Sequence, residues 1–272
     1  MPHLSRLDAE LVRRGLARSR EHAGRLILEG RVSAGGTVAT KPATRVSTDA
    51  PLVVVELNRL DYASRGGHKL AGALDTLASS GLEVVGRRCL DAGASTGGFT
   101  DVLLRRNAAQ VVAVDVGYGQ LDWRLRQDDR VVILDRTNVR DLTLERIDGP
   151  VDLVVADLSF ISLRVVLPAL LSVCQRDGDL LLMVKPQFEV GRGVAKKGVV
   201  RDPDQRLEAI VGVATAAEGY GWGTRAVVAS TLTGPAGNVE YFIWLRRDCG
   251  PIDRAAARAA VMAGPTGERL AP

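Results

Sequence analysis

Apolar positions in the first sixty residues recur first at helical and then at strand spacing. Leu7 and Leu11 stripe one face of a segment that opens with a capping-box pattern, Ser5 to Asp8, and stops at Gly15. Ala23, Leu26 and Ile27 stripe a second helix, capped by Ser19 and ended by Gly30. RVSAGGTVAT reads as a hairpin about Gly35-Gly36, and PLVVVEL as a further strand. The result is a helix-helix-hairpin unit, small but able to fold against a neighbour.

After the polar junction NRLDYASRGG the pattern changes. Leu70, Leu74 and Leu77 indicate a helix that ends near Gly81. From there strands alternate with helical segments: RCLDAG, Phe99 to Arg106, QVVAVD, a short helix near Leu121, RVVIL, VDLVVAD, Leu163 to Val173, GDLLLMVK, Pro203 to Glu218, TRAVVAS and VEYFIWLR. Such alternation predicts an α/β fold with a doubly wound parallel sheet. The last two strands are joined by a glycine-containing loop, which makes them antiparallel. The expected boundaries are residues 1–58 for the small unit, 59–63 for a linker, 64–250 for the α/β domain and 251–272 for a tail.

With 272 residues, 46% of them hydrophobic, the chain has material for a core in more than one domain. Its longest apolar patches, Val165 to Cys174 and Leu180 to Val184, fall short of the roughly 18 residues of a membrane span. The N-terminus lacks a signal-peptide core. Cys89, Cys174 and Cys249 have neither metal-like spacing nor a disulfide framework, so a reducing, cytoplasmic setting and no metal are expected. Charge is unevenly spread: nine cations face five acids in residues 1–50, and that excess equals the whole net charge of +4. A basic module on a neutral body suits an anionic partner.

LDAGASTGGFTDVLL places a loop of small residues between an apolar strand and a helix. It lacks Gly-Lys-Ser/Thr, which argues against a phosphate-gripping loop, and its glycines do not match G-x-G-x-x-G. A second strand ends in Asp115, where an acid can bind two ribose hydroxyls. A loop that holds adenosine with no phosphate anchor suits S-adenosylmethionine, whose cationic end favours Asp91, directly or through water. The cofactor set is Asp91, Gly93, Ala94, Ser95, Gly97, Gly98, Phe99 and Asp115. The region resembles the Rossmann-like methyltransferases, whose seven-stranded sheet ends with an antiparallel strand. That resemblance adds Asp135 or Asn138 as the residue that approaches adenine.

The acceptor can be narrowed by elimination. The loop after VDLVVA reads ADLSF, without the prolines used for methylating exocyclic base nitrogens, and no cysteine ends the fourth or fifth strand, as cytosine C5 chemistry needs. Asp157, Lys185 and Glu240 lie at strand ends, and Lys69 lies at the start of a helix. Together these four match the Lys-Asp-Lys-Glu tetrad of RNA ribose 2′-O-methyltransferases, which they resemble. A ribose hydroxyl is a poor nucleophile near neutral pH, and a lysine can accept its proton. Lys185 is expected to be that base, Lys69 and Asp157 its positioning and electrostatic partners, and Glu240 an orienter of Lys185 or of the hydroxyl.

The basic helix-helix-hairpin unit resembles the S-four-type RNA-binding domain, on RLDAELVRRGLARSREHAGRLILEGRVSAGGTVATKP. That unit with SRGGHKL, DAGASTGGFTD, VVADLSFISL, VKPQFEVG and GPAGNVEYF resembles the TlyA family, called hemolysin-like in older naming. The resemblance implies a ribosomal RNA cytidine 2′-O-methyltransferase that uses S-adenosylmethionine, acts on small- and large-subunit rRNA, and docks RNA through its N-terminal module. Candidate RNA contacts are Arg6, Arg14, Arg18, Arg20 and Arg65, with Arg192, Lys196 and Lys197 in the glycine-rich loop GRGVAKKGVVRD. One departure is the linker: the family often has Arg-Ala-x-Trp where this chain has Arg59-Leu60-Asp61-Tyr62. The alternatives are a non-catalytic rRNA-binding assembly factor, a small-molecule O-methyltransferase and a membrane-lytic protein. The intact cofactor and tetrad positions oppose the first, the basic module the second, and the lack of a span or a strongly amphipathic basic helix the third.

Overall fold

A computed structural model describes residues 4–17, 19–28, 30–55, 62–191 and 198–265. The chain divides into two compact units, Met1–Asp61 and Tyr62–Pro272.

The smaller unit runs β1 (Leu4–Arg6), α1 (Leu7–Arg13), α2 (Arg20–Leu28), β2 (Val32–Ala34), β3 (Thr37–Val38), β4 (Arg45–Ser47) and β5 (Leu52–Val54). Leu7, Leu11, Ala23, Leu26 and Ile27 meet over Val32 and Val46 in one buried cluster. β2 and β3 form the hairpin about Gly35 and Gly36, both with positive φ, and β5 adds to the other edge of β2. Ser19 accepts a hydrogen bond from the His22 amide, as a helix cap should. The Ser5–Asp8 stretch is not a capping box. Leu4–Arg6 is extended and pairs with β4, a strand too short to stand out in the sequence, and Arg6 occupies the cap position without a side-chain bond to the helix amides. Asp8 turns instead to the guanidinium groups of Arg6 and Arg20, which bind a carboxylate more strongly than a lone amide does.

The larger unit contains α3 (Arg65–Ala78), β6 (Arg88–Ala92), α4 (Gly98–Arg105), β7 (Gln110–Val114), α5 (Trp123–Arg126), β8 (Val131–Leu134), β9 (Val151–Ala156), α6 (Leu163–Val173), β10 (Cys174–Val184), α7 (Pro186–Glu189), α8 (Pro203–Glu218), β11 (Gly223–Ala229), β12 (Tyr241–Arg246) and α9 (Arg254–Ala263). Seven strands form one sheet in the order β11-β12-β10-β9-β6-β7-β8. Only β12 runs against its neighbours. Runs such as Val151–Ala156 and Leu180–Val184 are continuously apolar because both faces of these strands are covered. Alternate residues go to opposite faces: Leu90, Val112 and Val154 pack with α6, α8 and α9, and Cys89, Val111 and Leu153 with α3 and α4.

Residues 254–263, read from sequence as part of a tail, form α9, which buries Ala257 and Val261 in the core. The alanine-rich sequence RAAARAAVMA carries too weak an apolar stripe to announce a packed helix. Strand order reverses between β6 and β9, so the loops that follow these two strands diverge to opposite sides and leave a crevice at the carboxyl edge of the sheet.

Candidate active site

That crevice is a cleft of about 450 Å³ whose lining includes Gly93, Ser95, Asp115, Asn138, Asp157 and Ser159. Gly93 has φ +87, and a Cβ there would lie 2.7 Å from the Asp157 carbonyl oxygen, so only glycine lets the loops after β6 and β9 approach this closely. Asp115 ends β7. Its carboxylate accepts the Ser95 amide at 2.9 Å and the Gly117 amide at 2.7 Å, which fixes its oxygens at the cleft wall with lone pairs to spare.

Asp91 lies beneath the cleft. It is fully buried, Oδ2 accepts the Thr100 hydroxyl at 2.7 Å, and Oδ1 has no partner. Burial pushes its carboxyl up to about 7, with the Thr100 bond opposing and the Asp157 charge reinforcing the rise.

Other predicted cofactor residues do not line the cleft. The space beside Gly97 is filled by Leu121 and Leu125, and that beside Gly98 by Ser64 and Gly67, so these glycines serve the packing of α4. Phe99 is buried against Phe242, 6.0 Å between ring centres, and Ala94 is buried as well. Asp135 accepts the Gly119 amide and pairs with Arg126 at 3.3 Å, leaving Asn138 as the cleft residue of that region.

The four candidate catalytic side chains come from one edge of the sheet and the helix above it. Asp157 follows β9, Lys185 follows β10, and Glu240 precedes the antiparallel β12. The register Ala156–Leu182 and Val184–Tyr241 brings these three to neighbouring strand ends. α3 crosses over them: a Cβ on Gly66 would lie 3.6 Å from Asp157 Oδ2, and Lys69 is one turn further along. The side chains form two ion pairs. Lys185 Nζ is 2.6 Å from Asp157 Oδ1 and hydrogen bonds to Ser159 Oγ at 2.9 Å. Lys69 Nζ is 2.5 Å from Glu240 Oε2, both residues almost fully buried. Glu240 therefore orients Lys69 and not Lys185, a pairing set by the fold across 171 residues and invisible in the sequence.

Two residues of this edge escaped sequence reasoning. Ser159 holds Lys185. Phe160 has φ +65 and is 92% exposed while lining the cleft, and its ring sits 5.4 Å from Phe188. A bulky residue with positive φ is strained, and such outliers cluster where a ligand is gripped. The signal in the sequence was the aromatic that ends ADLSF, three residues after a candidate catalytic aspartate. Cys89 and Cys174 are pushed up to about 12 by burial, so neither offers a thiolate near neutral pH.

The candidate RNA contacts divide. Arg6 and Arg20 share the Asp8 carboxylate at 2.9 and 3.1 Å and stay largely exposed. Arg14, a candidate RNA contact, is consumed within the unit: it bonds Glu10 and the Thr48 and Ala50 carbonyls and is 23% exposed, so its guanidinium has little left to offer a phosphate. The cause is the fully buried Glu10, which binds both Arg13 and Arg14 and is held down to about 2 chiefly by its hydrogen bond from Arg13. Arg65, in the first turn of α3, is exposed. Arg18, Arg192, Lys196 and Lys197 lie outside the described residues. So do Arg59, Leu60 and Asp61 of the linker, whereas Tyr62 packs edge-on to His68 and under Arg105.

Residues 62–247 match the model of the FtsJ-like methyltransferases, and residues 5–51 that of the S4 domain. The 16S/23S rRNA (cytidine-2′-O)-methyltransferase TlyA of Mycobacterium tuberculosis is 60% identical, over 90% of this chain and 91% of that protein. This chain belongs to the TlyA family. It is a methyltransferase by the family model that covers most of its length. TlyA-family relatives also carry another name: Hemolysin A of Brachyspira hyodysenteriae is 35% identical over 87% of this chain and 97% of its own. A solved structure from Streptococcus thermophilus, provisionally named a hemolysin, is 36% identical, covers 96% of this chain and 95% of its own, and superposes with a TM-score of 0.72. Among the described residues of the TlyA-family chain, no helix is long and apolar enough to cross a membrane.

Proposed function

We propose that this protein methylates the ribose 2′-hydroxyl of cytidine in ribosomal RNA, in both small and large subunits, with S-adenosylmethionine as donor. The observation that carries the reading is the pair of lysine–carboxylate couples, Lys185–Asp157 at the cleft and the buried Lys69–Glu240, beside a lining that presents no thiolate and no proline-rich loop. The naming of the M. tuberculosis relative supports the same acceptor.

The cleft fits an adenosyl group. Gly93 leaves room where a side chain would clash, Asp115 offers carboxylate oxygens for ribose hydroxyls, Asn138 is available to the base, and the unpartnered Asp91 oxygen places negative potential beneath the cationic end. When bound, the cofactor supplies an activated methyl group. Lys185 accepts the proton of the 2′-hydroxyl as the oxygen attacks. Asp157 and Ser159 hold its amino nitrogen in place. Lys69, fixed by Glu240, lends positive potential to the developing oxyanion. Phe160 offers an aromatic face to a base taken out of its stack. Arg6, Arg20 and Arg65, with Arg18, Arg192, Lys196 and Lys197, grip phosphates and make binding salt-sensitive.

The test is transfer of labelled methyl groups to purified 30S and 50S subunits, by wild type and Lys185→Ala, with the labelled nucleoside identified. Label on cytidine 2′-oxygen, reduced by at least about 100-fold in the variant, is the expected result. Label on a base would overturn the assignment of the acceptor. Stable rRNA binding without any label would make the protein an assembly factor.

A further inference from the structure

Glu189 ends α7, four residues after Lys185, and has no place in the mechanism above. Its side chain is 2% exposed, yet its carboxylate is fully employed. Oε2 accepts the Ser162 hydroxyl at 2.6 Å and Arg164 Nε at 3.3 Å, and Oε1 accepts the Leu163 amide at 2.7 Å. Arg164 also donates to the Glu189 carbonyl at 2.8 Å. These donors form the first turn of α6, which Ser162 caps from its other side by accepting the Arg164 amide. A carboxylate there meets unpaired amides and the positive end of the helix, which offsets the cost of burying its charge.

The bonds cross between two loops that both carry candidate catalytic groups. One loop, from Asp157 to Ser162, holds Asp157, Ser159 and the strained Phe160. The other, from Lys185 to Glu189, holds Lys185. Their anchors, β9 and β10, are adjacent strands, so at their roots the loops are fixed by the sheet. Beyond the roots, the main described ties between them are the Lys185 contacts themselves, the Glu189 bonds and the Phe160–Phe188 ring contact.

Resting on the function proposed above, we propose that Glu189 is a positioning residue, a latch that sets Asp157 and Ser159 against Lys185. Loss of the latch lets the first loop drift, and a drift of about 1 Å is enough to cost about 100-fold in rate. Glu189→Gln keeps the shape and one acceptor but loses the charge that binds three donors. Glu189→Ala loses every bond.

Two measurements test this on the full-length protein at a temperature where each variant is folded by its thermal midpoint. The first is methyl transfer to ribosomal subunits at saturating cofactor and RNA. The latch predicts that kcat falls about 10-fold in Glu189→Gln and about 100-fold in Glu189→Ala, with the KM for subunits nearly unchanged. It also predicts that Glu189→Gln has little further effect in an Asp157→Asn background, because the latch acts through Asp157. A kcat within twofold of wild type, or an effect that multiplies in full with Asp157→Asn, overturns the latch and leaves Glu189 as a helix cap only. The second is amide hydrogen exchange over residues 158–163, which needs no activity. Exchange there rises in Glu189→Gln if the latch holds the loop, and unchanged exchange overturns it. Should wild type transfer no methyl group, the proposed reaction fails and exchange alone decides the latch.

Discussion

Asp91 holds a carboxyl group where water does not reach it, and its cost depends on pH. In the folded chain it titrates near 7, in the unfolded chain near 3.8. Between these values the folded state binds the extra proton, so this residue makes stability fall as pH rises, and the penalty is constant above about 7. Asp91→Asn removes the slope. Its stability relative to wild type should improve by about 1.4 kcal/mol per pH unit from about pH 4 to 7 and then level off, read from denaturant midpoints over that range. Gly93→Ala forces a methyl group into the Asp157 carbonyl at a positive φ. It should lower stability by about 1–3 kcal/mol and abolish saturable binding of S-adenosylmethionine in calorimetry. The strand-end residues Asp91, Asp115, Asp157 and Lys185 were legible in the sequence because apolar runs mark where strands stop. Ser159, Glu189 and the Lys69–Glu240 pairing were not, since each depends on bonds between loops that only the sheet order brings together.

At the scale of elements, arginines that look alike in sequence have different roles. Arg14→Ala removes a clamp on two backbone carbonyls and one of the two partners of buried Glu10. It should lower the unfolding midpoint by several degrees. Arg20→Ala leaves Asp8 paired with Arg6, so it should leave the midpoint within about 2 °C while weakening binding to ribosomal subunits several-fold. Helix α9 makes a similar distinction: Arg258→Ala breaks an exposed pair with Asp204 and should be nearly silent, whereas Val261→Asp places a charge in the core and should cost several kcal/mol in a chemical melt. The sheet and its alternating helices were legible from continuous apolar strands and helical stripes. The three-residue strands β1 and β4 and the alanine-rich α9 were not, because their signal lies in partners distant along the chain.

On the scale of the whole molecule, the positive excess is confined to the first fifty residues while the candidate catalytic edge belongs to the larger unit. Affinity for ribosomal subunits should therefore fall steeply between 50 and 200 mM salt, and removing either of the exposed arginines Arg6 and Arg20 should reduce the slope of log affinity against log salt by about one. A filter-binding titration across that range measures both. The antiparallel β12 has a different consequence, for synthesis. It enters the sheet between β10 and β11 and brings Glu240 to an edge whose partner, Lys69, was translated 171 residues earlier. No nascent chain that ends before Glu240 contains all four candidate catalytic residues, and β11 cannot join the sheet until β12 has emerged. A sheet whose edge strand waits for a later strand is rich in non-local pairings, which slow folding. A nascent chain that has not yet gained Glu240 therefore holds the cleft residues but leaves Lys69 without its buried partner.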